Sequence, residues 1–142
     1  FQLVDMNGDG KDDVFFAHPD GRFLVSHGGT SAWVVYGGDA NAGGNVKVGD
    51  LDGDGKGDIF WANSGDGAWR VSYGGRGPWK VVNNSGGAYG TQDFQLADLD
   101  GDGKDDVFFV SPQGEWKVSY SGTSAWQTIN NDGMAGKQVM VR

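Results

Sequence analysis

The chain has 142 residues, among them 27 Gly, 15 Val, 8 Phe and 6 Trp, with 19 acidic against 11 basic residues and a formal charge of −8. Glycine weakens a helix interior by about 1 kcal/mol per residue, while valine and aromatics suit a pleated surface, so an α-helical fold is disfavoured and an all-β fold expected. The acidic balance disfavours nucleic acid and anionic membrane as partners, and no apolar run approaches the roughly 20 residues of a membrane span.

Taken in chain order, strands are expected at 1–4, 14–17, 22–26 and 33–36, separated by an Asp/Gly loop, a turn at 18–21 and a loop at 27–32. The same order then recurs. The segments FQLVDMNGDGKDDV, VKVGDLDGDGKGDI and FQLADLDGDGKDDV open three copies of one unit, with Asp50 lying 45 residues after Asp5 and Asp98 48 residues after Asp50. Turns at 63–67 and 111–114 answer the turn at 18–21, and Gly/Asn-rich connectors at 37–45 and 83–93 separate the units. Four short antiparallel strands in each unit of this length are the signature of a β-propeller blade. The expected blades are 1–44, 45–92 and 93–138, with 139–142 as the first strand of a further blade. Val, Ile, Leu and Phe together make only 30 residues and there is no Cys, so such blades need stabilisation beyond an apolar core, and disulfides cannot supply it.

Each unit carries an oxygen-rich loop of the form D-x-[DN]-G-D-G-K-x-D. Its side-chain oxygens belong to Asp5, Asn7, Asp9 and Asp13, then Asp50, Asp52, Asp54 and Asp58, then Asp98, Asp100, Asp102 and Asp106. Spacing by two lets alternate side chains converge on one point, and the intervening glycines allow the tight backbone this requires. The backbone carbonyls of Lys11, Lys56 and Lys104 are candidates to complete each shell. Hard oxygen donors without His or Cys select Ca²⁺, about three per chain, over Zn²⁺ or Cu²⁺. An EF-hand does not fit, because its distal Glu would fall on Phe16, Trp61 and Phe109. Three Ca²⁺ would bring the formal charge from −8 to −2 and relieve the repulsion among closely packed carboxylates.

The loop motif, the blade length and the aromatic pairs Phe15-Phe16, Phe60-Trp61 and Phe108-Phe109 resemble FG-GAP/VCBS repeats. These are the calcium-binding blades of integrin α-subunit propellers and of many secreted bacterial and fungal proteins. The stretches Val71-Ser72-Tyr73-Gly74-Gly75 and Ser124-Ala125-Trp126 are similar to the bacterial version. The resemblance implies a propeller with Ca²⁺ between the first and second strands of each blade, and leaves function open among adhesins, lectins and non-catalytic parts of larger proteins.

Three blades are fewer than the four to eight of ordinary propellers, so a homodimer closing a six-bladed ring is expected, the alternative being a piece of a longer propeller. An enzyme is not expected: there is one Glu, and neither His18 nor His27 recurs in the other copies. A non-catalytic binding role is expected, with carbohydrate as the ligand class and Trp33, Trp79 and Trp126 as candidate stacking residues. The competing reading, favoured for these three, is that they begin the fourth strands and pack between blades. Trp69 and Trp116 are expected in the core. The alternative for the whole chain is a designed or fragmentary scaffold whose only ligand is calcium, or the non-catalytic propeller part of a larger secreted protein. Millimolar calcium outside cells suits an extracellular setting.

Overall fold

The structure, a computed structural model, describes residues 1–84 and 87–131. The further strand expected at 139–142 lies outside the described residues. Among those that are described, all regular structure is β apart from short 3-10 turns. Twelve strands form three sheets of four, each a simple antiparallel meander. The first holds β1 (Gln2–Val4), β2 (Asp13–Ala17), β3 (Arg22–Ser26) and β4 (Val34–Gly38). The second holds β5 (Lys47–Gly49), β6 (Asp58–Ala62), β7 (Trp69–Ser72) and β8 (Lys80–Asn83). The third holds β9 (Gln95–Ala97), β10 (Asp106–Val110), β11 (Glu115–Ser119) and β12 (Gln127–Asn131).

The strands form where Val and aromatic residues run between turn residues, and the turns close as the sequence demands. Gly21, Gly67 and Gly114 each donate their N–H to the carbonyl three or four residues back, on His18, Asn63 and Ser111. A register shift recurs at one place in all three sheets, between Phe23 and Leu24, Trp69 and Arg70, and Trp116 and Lys117. Such a bulge sharpens the local twist of the outer strand pair. The three tryptophans expected to start the fourth strands stand one residue before them, at Trp33, Trp79 and Trp126.

The sheets stack face to face in chain order. The short first strands adjoin one another, β1 against β5 and β5 against β9, whereas β12 is exposed along its whole length. One apolar cluster lies between the first and second sheets, built on Met6, Phe15, Phe23, Val25, Ile59 and Trp61. The other lies between the second and third, built on Leu51, Phe60, Trp69, Val71, Phe94 and Val107. Because the middle sheet is covered on both sides, every residue of β6 is buried: Ile59 and Trp61 join the first cluster, Phe60 and Ala62 the second. Trp69 is fully buried, as expected, while Trp116 is partly exposed on the outer face of the third sheet.

A 3-10 turn follows the third strand of each sheet, at His27–Gly29, Tyr73–Gly75 and Tyr120–Gly122. Its middle residue adopts a left-handed backbone: Gly28 and Gly74 in two copies, but Ser121 with φ of 56° in the third. A left-handed conformation costs a residue bearing a Cβ about 1–2 kcal/mol. Replacing Ser121 with Gly is therefore expected to raise stability by up to about 1 kcal/mol at saturating calcium, read as a higher midpoint of urea unfolding.

Candidate metal centre

Each oxygen-rich loop joins the first strand of a sheet to the second and wraps around its own leading aspartate. In the first loop Gly8 and Gly10 donate their N–H groups to the two oxygens of Asp5, at 2.8 and 2.7 Å. Gly53 and Gly55 treat Asp50 the same way, both at 2.9 Å, and Gly101 and Gly103 treat Asp98 so at 2.8 and 2.9 Å. The donors are glycines because each has φ between 76° and 86°, left-handed backbone that lets successive amides turn inward. Further round the loop, Oδ1 of Asp9, Asp54 and Asp102 each accepts the N–H of Lys11, Lys56 and Lys104 at 2.9 Å.

The last aspartate of each loop stands apart in character. Asp13, Asp58 and Asp106 are fully buried at the start of the second strand. One oxygen of each accepts the N–H of the second loop residue, from Met6, Leu51 and Leu99 at 2.8, 2.7 and 2.8 Å. The other accepts the middle N–H of the 3-10 turn, from Gly28, Gly74 and Ser121 at 2.8, 2.8 and 2.9 Å. This carboxylate thus ties the loop, the second strand and the end of the third together. The charged hydrogen bond to Ser121 also accounts for that residue's left-handed backbone.

The loops bring carboxylates together. Oxygens of Asp50, Asp52 and Asp58 all lie within 4.8 Å of one another, and so do those of Asp98, Asp100 and Asp106. In the first loop Asn7 takes the third position between Asp5 and Asp13. His27 sits beside it, its Nδ1 3.3 Å from Asn7 Nδ2 and 3.5 Å from Asp13 Oδ2. The second and third loops thus gather one more carboxylate than the first. Three oxygen donors with no nitrogen or sulfur among them fit a hard divalent cation, which when bound would neutralise their mutual repulsion.

Sequence reasoning missed a contact between blades at these loops. Gly57 donates its N–H to the Asp5 carbonyl at 2.8 Å, and Asp105 donates to the Asp50 carbonyl at 2.7 Å. Asp105 also accepts the Asp50 N–H through Oδ2 at 2.9 Å. The side chain of Lys56 packs over Gly8 and that of Lys104 over Gly53, so each loop is covered by the lysine of the next. The signal was present in the variable position just before the buried aspartate, occupied by Asp12, Gly57 and Asp105, but its partner lies a whole repeat away.

Burial pushes the Asp58 carboxyl up to about 7, with the neighbouring charges of Asp52 and Asp54 adding to it and the Gly74 and Leu51 hydrogen bonds opposing it. Without metal, the folded protein therefore holds a proton between about pH 4 and 7 that the unfolded chain, with an ordinary aspartate near 3.9, has released. Stability of the metal-free protein is expected to fall as pH rises across that window and to level off above 7. Calcium competes with that proton, so its affinity is expected to rise over the same interval. Thermal melts of metal-depleted protein at about pH 5 and pH 7.5, paired with calcium titrations at both, test the two opposed trends.

The tryptophans singled out as candidate stacking residues take different positions. Trp126 is partly buried between blades, its ring 5.1 Å from Trp69, 5.8 Å from Phe94 and 5.8 Å from Phe109. Trp79 packs against Trp61 at 5.6 Å and Phe23 at 6.2 Å, with its indole N–H donating to Asp39 Oδ2 at 2.9 Å. Trp33 is exposed, beside Phe1 and Phe16.

A comparison with curated proteins found no match. A family model described as an FG-GAP-like repeat matches residues 5–61 and 50–109, each match beginning on the leading aspartate of a loop. Together these matches span well over half of the chain, and the protein belongs to the FG-GAP-like repeat family.

Proposed function

We propose that this chain is a calcium-clamped stretch of β-propeller with a binding role, and that its ligand is carbohydrate. Its blades run over 1–44, 45–92 and 93–138. The observation that carries the calcium reading is the repeated convergence of carboxylates in loops whose amides already curl inward. Asp5, Asn7, Asp9 and Asp13 hold the first ion, Asp50, Asp52, Asp54 and Asp58 the second, and Asp98, Asp100, Asp102 and Asp106 the third. The carbonyls of Lys11, Lys56 and Lys104 complete the shells. The ions fix the loops that space the blades, so removing them loosens the blade contacts as well. FG-GAP-like repeats are generally non-catalytic, and His27 lies beside the first loop, where it adjusts that site and activates no nucleophile.

Calorimetric titration of metal-depleted protein is expected to resolve two tight sites, the carboxylate triads, and one weaker site at the Asn7 loop. Asn7→Asp is expected to strengthen the weak site, and chelation to lower the melting temperature by well over a degree or two. Three equal sites would count against the role given to Asn7, and no chelator effect would count against structural calcium.

Carbohydrate is supported by a cleft of about 490 Å³ between the first two blades, lined by Asp39, Asn41, Asn63, Arg70, Trp61 and Trp79. Arg70 lies over the Trp61 ring, 5.1 Å from its centroid, and is held there by an ion pair with Asp66 at 2.7 Å. The partly exposed Trp79, beside several amide and charged groups, suits a ring that presents both C–H faces and hydroxyls, while Trp61 is buried under Arg70. Between the second and third blades Tyr89 packs on Phe109 at 4.5 Å, at the position corresponding to Trp61. On a glycan array the protein is expected to bind through this cleft, with Asn41→Ala and Asn63→Ala each weakening binding about fivefold or more, as lost polar contacts do. Neither change touches the blade cores, so unaltered binding would remove the cleft as the site. The calcium loops and the extracellular setting they suit do not depend on that outcome.

A further inference from the structure

The repeat supplies each blade with two faces, and two faces are left uncovered by the described residues. Those open faces carry the residues that the same repeat buries elsewhere in the molecule. Phe1 is 83 % exposed, while its counterparts Val46 and Phe94 are 4 % and 0 % exposed. At the other end Leu99 is 46 % exposed, while its counterparts Met6 and Leu51 are 1 % and 2 % exposed. Trp33 and Leu3 continue the first open face. Phe108, Trp116 and Ile129 continue the second, around a shallow apolar groove.

We propose that the open face of the β9–β12 sheet docks the open face of the β1–β4 sheet in a second copy of this chain, so that two chains close head to tail into one six-bladed ring. The interface repeats the one already formed twice within the chain, and its aromatic and hydrogen-bonding elements are present at the open ends. In the second interface Trp69 receives Trp126 and Phe94, at 5.1 and 5.2 Å. Its counterpart Trp116 therefore receives Trp33 and Phe1 of the other copy.

In the first interface the Gln2 side chain donates to the Val46 carbonyl at 2.9 Å and accepts the Val48 N–H at 3.0 Å. In the second, the Lys47 ammonium reaches the Phe94 carbonyl. Gln95 restores the glutamine in the third blade, ready to grip the backbone of β1. The carbonyl of Asp98 and the N–H of Asp12 correspond to the pairs Asp5 with Gly57 and Asp50 with Asp105. Lys56 covers Gly8 and Lys104 covers Gly53, whereas no described residue fills the space over Gly101, which is the place for Lys11 of the other copy.

A head-to-tail contact between copies makes a closed ring or an open filament, according to the rotation it imposes. Two chains of three blades make a ring of six, within the ordinary four to eight. The partner is thus a second copy of this chain, recognised by an aromatic face with one glutamine clamp, and the assembly is independent of which ligand fills the cleft.

Sedimentation equilibrium at saturating calcium tests it. A species of twice the 15.0 kDa chain mass is expected. A monomer, or a polymer that lengthens with concentration, overturns the proposal. Leu3→Asp and Ile129→Asp, one on each open face, are each expected to weaken the dimer at least tenfold without changing the β-sheet circular dichroism signal. Val81→Asp is the control, because Val81 lies in the middle blade, belongs to neither apolar cluster and is 56 % exposed. Equal loss of dimer in Leu3→Asp and Val81→Asp would overturn the assignment of the faces.

Discussion

A single buried carboxylate holds each blade together. Asp13, Asp58 and Asp106 accept one amide from the loop they end and another from the turn beyond the third strand. Three stretches that are distant in sequence thereby share one charge. A charge in an apolar interior is tolerated only when hydrogen bonds or a counter-ion surround it, and two amides alone leave it strongly proton-seeking at Asp58. The left-handed turn residue follows from the need to surround that carboxylate, while the loop glycines turn their amides toward the leading aspartate.

The blades differ in how much of their stabilisation is internal. Each sheet has only four short strands and an apolar set too small to bury by itself, so burial is completed by its neighbours, as in other repeat architectures. The middle sheet shows the result: both faces of β6 are covered, and its aromatics belong to two different cores. Among the described residues, the first and third sheets each have one face covered. Metal sites and blade contacts are coupled in this arrangement, because the residues that contact the next blade, Asp5, Gly57, Asp50 and Asp105, belong to the loops themselves.

Much of the fold was legible because the repeat states it three times. The β3 limits at Arg22 and Ser26 match the expectation, and β2 begins one residue early because Asp13 pairs with Val4 as well as closing the loop. The fourth strands begin one residue later than expected, since Trp79 and Trp126 turn into the neighbouring blade before pairing starts and Trp33 turns outward at the same position. The loop carboxylates were readable from their two-residue spacing. The double amide grip on the last aspartate was not, because its second donor, Gly28, Gly74 or Ser121, lies 15 or 16 residues away and carries no charge to mark it. The cleft was likewise hidden: it arises where two blades meet, and only Trp79 of its lining residues had been singled out.

Near-identity of the repeats does not make them interchangeable. A methyl added at Gly57 would come within 2.7 Å of Met6 Sδ and 3.0 Å of Val4, whereas one added at Gly49 would meet the Asp105 carboxylate at 2.6 Å. A bulky leading strand is therefore followed by glycine, and a glycine in the leading strand by an aspartate that fills the gap. These paired sizes fit the second unit to the first and the third to the second. A chain shuffled to put the third unit directly after the first would force Asp105 against Val4 and Met6, so the order of the blades is written into steric complements as well as into the connecting loops.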